Sequence, residues 1–127
     1  MSNSVVLLMA RVLLSVMFIM AGLQKFTAID GTAGYIGSVG LPAPVALAWL
    51  SAIFETLAGI AILIGFQTRI AAILLALFCL FTALMFHFDF ADQVQMLFFM
   101  KNVTIAGGFL ALFASGPGSI SVDARRG

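Results

Sequence analysis

Residues 44–66 read PVALAWLSAIFETLAGIAILIGF, and Glu55 is the only charged residue among them. An apolar run of about 18 residues or more, at about 1.5 Å per residue, is long enough to cross a bilayer as a helix. Three more runs of this kind occupy residues 5–23, 70–88 and 96–114. Each also holds one strongly ionisable side chain: Arg11, His87 and Lys101 respectively. A charge at such depth costs roughly 2.5–3.5 kcal/mol on insertion scales, so it normally faces protein or a wet cavity. The four ionisable residues therefore locate a polar interior without naming its chemistry.

Composition agrees with four spans. The chain is 63% hydrophobic and 9% charged, with a mean hydropathy of +1.20. The four runs use about 80 of the 127 positions, which leaves no room for a separate soluble catalytic domain. The expectation is a single membrane domain over residues 1–127 in contact with lipid. A net charge of +1 argues against nucleic acid as a partner. The first run is too long for a signal-peptide core and contains Arg11, so it is expected to remain as the first helix. With four crossings, Arg69, Arg125 and Arg126 share one side with Asp123, while Lys25, Asp30, Asp89 and Asp92 lie on the other. The positive-inside bias then predicts that both termini are cytoplasmic.

Between the first two runs, residues 26–44 carry Gly31, Gly34, Gly37 and Gly40 at every third position. Asp30 as an N-cap, Gly40 as a stop and Pro42 beyond it predict a short helix at the outer surface. Gly65 is expected to close the second span, Thr68 to cap the third, and Gly116-Pro117-Gly118 to end the fourth. The tail that follows is too short to fold alone. The fold expected is an all-α membrane protein: a four-transmembrane-helix bundle with a short outer interfacial helix between helices one and two.

Helical spacing places small and polar residues on one face of each span. In the first these are Arg11, Ser15, Phe18, Gly22 and Lys25. In the second they are Ala48, Ser51, Glu55, Ala58 and Ile62, with Gly59 beside them. The third has Ala72, Ala76, Cys79, Ala83 and His87, and the fourth Lys101, Thr104, Gly108, Ala111 and Ser115. Small residues permit close backbone approach where lipid offers no hydrophobic force between helices, so these faces are expected to pack inward. By depth, Arg11 and Glu55 are expected to meet as a buried ion pair. Lys101, His87, Asn102, Lys25 and Gln95 gather toward the outer leaflet, where they could hold the polar head of a small oxygenated ligand. Each also has a plain alternative: Lys25 as a snorkelling residue and His87 as an interfacial one.

Other chemistries find little support. Cys79 is the only cysteine, so the chain cannot run a dithiol–disulfide cycle by itself. His87 is the only histidine, which excludes bis-histidine haem within one protomer. The spacing of His87, Asp89 and Asp92 does not present them together on a helix, and no metal site is expected.

The ordered set of Arg11, Gly22 with Lys25, Gly40 with Pro42 and Pro44, and Glu55 with Gly59 resembles the DoxX family of small bacterial four-helix membrane proteins. The resemblance continues through residues 65–69 (GFQTR), Phe86-His87, Lys101-Asn102, Gly107-Gly108, and Gly116-Pro117-Gly118 before Ser121 and Asp123. It implies a multi-pass protein of the bacterial inner membrane and, for some relatives, association with thiosulfate:quinone oxidoreductase or other redox systems. The expectation is an accessory subunit or anchor of a redox system that binds a quinone or similar lipophile. Lys101 and His87 would bond its carbonyl oxygens, and no catalysis is expected from the chain alone. A small proton-coupled transporter or permeability factor using Glu55, and a purely structural assembly protein, stay open, as does a homo-oligomer.

Overall fold

The computed structural model describes residues 2–126, which form six helices. In chain order these are α1 (Asn3–Phe26), α2 (Ile29–Ser38), α3 (Pro44–Ile64), α4 (Thr68–Phe86), α5 (Gln93–Ser115) and α6 (Val122–Arg126). Helices α1, α3, α4 and α5 are each long and apolar enough to cross a membrane. Their large apolar side chains point outward, with Leu13, Leu57, Leu77 and Leu97 all more than half exposed. That arrangement suits lipid as the surrounding solvent.

Local chemistry sets the helix ends. Ser2 caps α1 by accepting a hydrogen bond from the Val5 amide, and Asp92 caps α5 by accepting from the Val94 and Gln95 amides. Pro44 opens α3, and Gly65 closes it in the left-handed region at φ 74°. Two expected caps differ. Asp30 lies in the first turn of α2, whose N-cap position is Ala28 and has no side-chain cap. There the carboxylate still favours the helix dipole. Thr68 is the first residue of α4, and the cap comes instead from the far end of the chain, since the Asp123 carboxylate accepts from the amides of Gln67 (2.7 Å) and Thr68 (2.8 Å).

Antiparallel packing of α1 on α3 fixes the register of the bundle. A Cβ on Gly22 would stand 2.8 Å from the Thr56 amide nitrogen and 2.9 Å from the Ala52 carbonyl oxygen, so glycine lets the two backbones touch. The buried face of α1 is Arg11, Ser15, Phe18 and Gly22, and that of α4 includes Ala72, Ala76, Cys79 and Ala83. On α3 the buried set is Ala48, Ala52, Glu55, Gly59 and Ile62, turned slightly from the expected stripe.

The face of α5 is a correction. Lys101, Thr104, Ala111 and Ser115 are exposed, and Ala106, Phe109 and Leu112 are buried instead. The reason is complementarity. The inner face of α4 is already mostly small, so an equally small face opposite would leave a void, whereas Phe109 and Leu112 fill the space.

The termini meet at one end of the bundle, the terminal end, and the tail folds over it. Arg11 is completely buried there, and its guanidinium donates to the carbonyls of Leu63 (3.4 Å) and Ile120. The Asp123 amide donates to the Gly65 carbonyl at 2.8 Å, and Arg126 stacks over the Phe66 ring at 5.1 Å. Burial pushes the Asp123 carboxyl upward, but the backbone amides of Thr68 and Gln67, with Arg126 nearby, hold it below the usual carboxylate range.

Candidate functional site

The opposite end, the loop end, is hollow. A cavity of about 720 Å³ lies between the loop-end halves of α1, α3 and α4, with α2 over it and Asn102 of α5 in its wall. Helix α2 is held down by Ala33 and Ile36, which pack against Ala48 of α3. Its Tyr35 ring stacks on Phe86 at 5.2 Å, and the Tyr35 hydroxyl donates to the Phe86 carbonyl at 3.3 Å. At the other limit, Phe18 and Phe109 meet edge to face at 5.5 Å, within the apolar core that fills the bundle toward the terminal end.

The one ion pair within the cavity wall joins Lys25 Nζ to Glu55 Oε2 at 2.6 Å. The Glu55 side chain is 6% exposed and that of Lys25 28%. This overturns the expected pairing of Glu55 with Arg11, and the register explains why. Gly22 sits opposite Thr56, so Lys25 lies about half a turn beyond the level of Glu55 and its long chain reaches back. Arg11 falls level with the end of α3, about 18 Å along α1 from the level of Glu55 by helical rise. Its two terminal nitrogens donate to Leu63 and Ile120, while its buried Nε has no partner.

Of the remaining expected ligand-binding residues, His87 and Asn102 line the cavity with Lys25. Gln95 stands behind His87, whose Nδ1–H donates to Gln95 Oε1 at 2.6 Å, while the imidazole also packs on Phe98 at 5.2 Å. Asn102 Nδ2 donates to Thr82 Oγ1 at 3.1 Å, tying α5 to α4 at the wall. Lys101 is not part of this site. It is exposed on the outside of α5, because the turn that brings Asn102 inward carries its neighbour away.

Residues that were not among the expected ligand contacts complete the wall. Thr32 and Tyr35 come from α2, Ser51 from α3, and Cys79 and Thr82 from α4. A hydroxyl inside a long apolar span was the available signal, although Ser and Thr also occur in such spans as simple packing residues. The resulting chamber has aromatic and aliphatic walls, a charged pair at one side and a few hydroxyl and amide groups. That suits a neutral amphipathic molecule with a hydrogen-bonding head, since the paired charges already neutralise each other.

Comparison with known proteins agrees with this architecture. The DoxX family pattern matches residues 6–88. The chain is 46% identical over 116 residues to the inner membrane protein YqjF of Escherichia coli K12, covering 91% of this chain and 88% of that one. It is 41% identical over 129 residues to the inner membrane protein YphA of the same organism, covering 98% and 92%. A Bacillus subtilis protein named "Putative oxidoreductase CatD" is 37% identical over 70 residues, covering 55% and 51%. No solved structure gives a significant match. The family match covers most of the chain and both Escherichia coli relatives span nearly all of it, so the protein belongs to the DoxX family.

Proposed function

We propose that this is an inner-membrane protein whose loop-end cavity binds a lipophilic carbonyl compound, such as a quinone, and that it serves as an accessory subunit or anchor of a redox system. The observation that carries the reading is the Lys25–Glu55 pair in the wall of an otherwise largely apolar chamber of about 720 Å³. An ammonium group has three N–H donors, and one pairing with Glu55 leaves others for a carbonyl oxygen. Ser51, Thr82 and Asn102 offer further polar contacts, and the aromatic walls suit a flat ring. The names of the relatives support the location and, for the shorter match, the redox association. Arg69, Arg125 and Arg126 at the terminal end support cytoplasmic termini, which reporter fusions after Gly118 and within α2 would test.

Binding is tested by extracting the protein in mild detergent and identifying copurifying small molecules by mass spectrometry. A quinone titration of wild type and Lys25→Met follows. The expected result is a bound lipophile and about tenfold weaker binding in the variant, as for loss of one charged hydrogen bond. Equal affinities would remove Lys25 from the site. A second reading rests on Glu55, the acid embedded midway along α3 and bordering the cavity. If it carries protons in a transporter, proteoliposomes should show pH-dependent flux that Glu55→Gln abolishes.

A further inference from the structure

We propose that the cavity is loaded sideways from the bilayer, through a window between α1 and α5, and that the outer face of α1 holds the hydrocarbon tail of the bound molecule. The inference deepens the reading above and rests on its cavity. The contacts that hold α5 and the following turn against α1 lie toward the terminal end: Leu7 against Gly118, Leu14 against Gly108, and Phe18 against Phe109. Beyond Phe18 the α5-facing side of α1 continues through Ala21, while Thr104 and Lys101 on the α1-facing side of α5 are exposed. The two helices thus part at the level of the cavity.

A shallow groove runs along α1 at this place. It is lined by Leu13, Val16, Met17, Met20, Ala21 and Gln24. Met17 also lines the cavity, so this one flexible side chain stands between chamber and groove. The groove is apolar along its length, with one amide at the loop end, and spans about 16 Å by helical rise. That is the shape of a single linear tail. Two other sides carry aromatic pairs, Phe54 against Phe78 (5.2 Å) between α3 and α4 and the Tyr35–Phe86 stack beneath α2, and the exposed Phe81 stands in the cavity wall beside them. A molecule with its carbonyl head at Lys25 and Glu55 has its way out to lipid past Met17. The class of ligand is therefore narrowed to one flat polar head on one unbranched or isoprenoid tail, partitioned into the membrane before it binds.

The test uses the full chain in lipid nanodiscs. A fully substituted benzoquinone carrying a decyl tail, and the same ring carrying a methyl group, are titrated into wild type, Ala21→Phe and a lipid-face control, Leu57→Phe. Narrowing the window should weaken the decyl compound about tenfold and the methyl compound less than about twofold, with the control unchanged. Equal effects on both compounds, or none on either, would overturn the proposal. Photolabelling of wild type with a fatty alcohol bearing a diazirine in its tail needs neither a variant nor quinone binding. Labelling concentrated on residues 17–24 supports the window, and labelling spread evenly over α1 and α3, or centred on Phe54 and Phe78, refutes it. Wild type that binds neither quinone yet is labelled at residues 17–24 would sink the quinone reading and leave the lateral window standing.

Discussion

The two ends of the bundle bury charge in different ways. At the terminal end, Arg11 and Asp123 are engaged by backbone: one guanidinium spans the carbonyls of Leu63 and Ile120, and one carboxylate caps the first amides of α4. Neither lines the loop-end cavity, and both bond backbone groups that helix ends leave open. At the loop end, Lys25 and Glu55 satisfy each other and border about 720 Å³ of space. A pair of that kind holds little net stability, because desolvation offsets most of the Coulomb gain. The difference separates structural charge from charge available to a ligand, and it can be broken experimentally.

The largest effect is expected at Arg11. Arg11→Met takes the donors from the Leu63 and Ile120 carbonyls at the site of a fully buried side chain, and should destabilise the protein by about 3 kcal/mol, seen as a lower unfolding midpoint in detergent. Ligand affinity of the folded fraction should be unchanged. An affinity loss as large as the stability loss would erase the distinction between the two ends. Lys25→Met comes next, at about 2 kcal/mol, since it strands Glu55. The double variant Lys25→Met with Glu55→Gln should regain much of that stability without regaining ligand binding. Recovery of both would make the loop-end pair structural as well.

These contrasts were only partly legible in the sequence. The four spans and the inner stripes of α1 and α4 followed from period and composition, because residues on one stripe share a face whatever lies opposite. Arg11 and Lys25 lie on the same stripe of α1, however, and choosing which meets Glu55 requires the axial register of α1 against α3. That register is set by the backbone approach at Gly22, a tertiary event. The face of α5 was misplaced for a related reason. Small residues mark where helices approach, but when α4 already supplies them, its neighbour must supply Phe109 and Leu112. The capping of α4 by Asp123 crosses more than fifty residues and leaves no periodic trace.

A change of pH separates the two ends further. Asp123→Asn should cost about 1 kcal/mol near neutrality, as for loss of an N-cap. The carboxyl is held below its ordinary value in the folded protein. Its stabilisation is therefore complete above the unfolded value of about 3.9 and disappears as pH falls through the lower folded value. Wild-type stability should show an acid-side loss in that window which Asp123→Asn lacks. If the two curves run parallel down to the lowest accessible pH, Asp123 does not hold the tail by its charge.

The smallest effect is expected at Lys101, and it tests the boundary of the loop-end site. Depth alone favours this residue, eight positions into α5 and hence about 12 Å along it. A cation at that depth facing lipid is tolerable because its four-carbon stem can carry the ammonium toward the headgroups, leaving only methylenes among the acyl chains. Its neighbour Asn102 takes the inward place and bonds Thr82, and Lys101 does not line the chamber. Lys101→Met should therefore leave quinone affinity within about twofold of wild type and stability within about 0.5 kcal/mol, as for other exposed positions. Asn102→Leu in the same titration should weaken binding more than Lys101→Met does. The reverse order would mean that α5 rotates when ligand binds, carrying Lys101 inward.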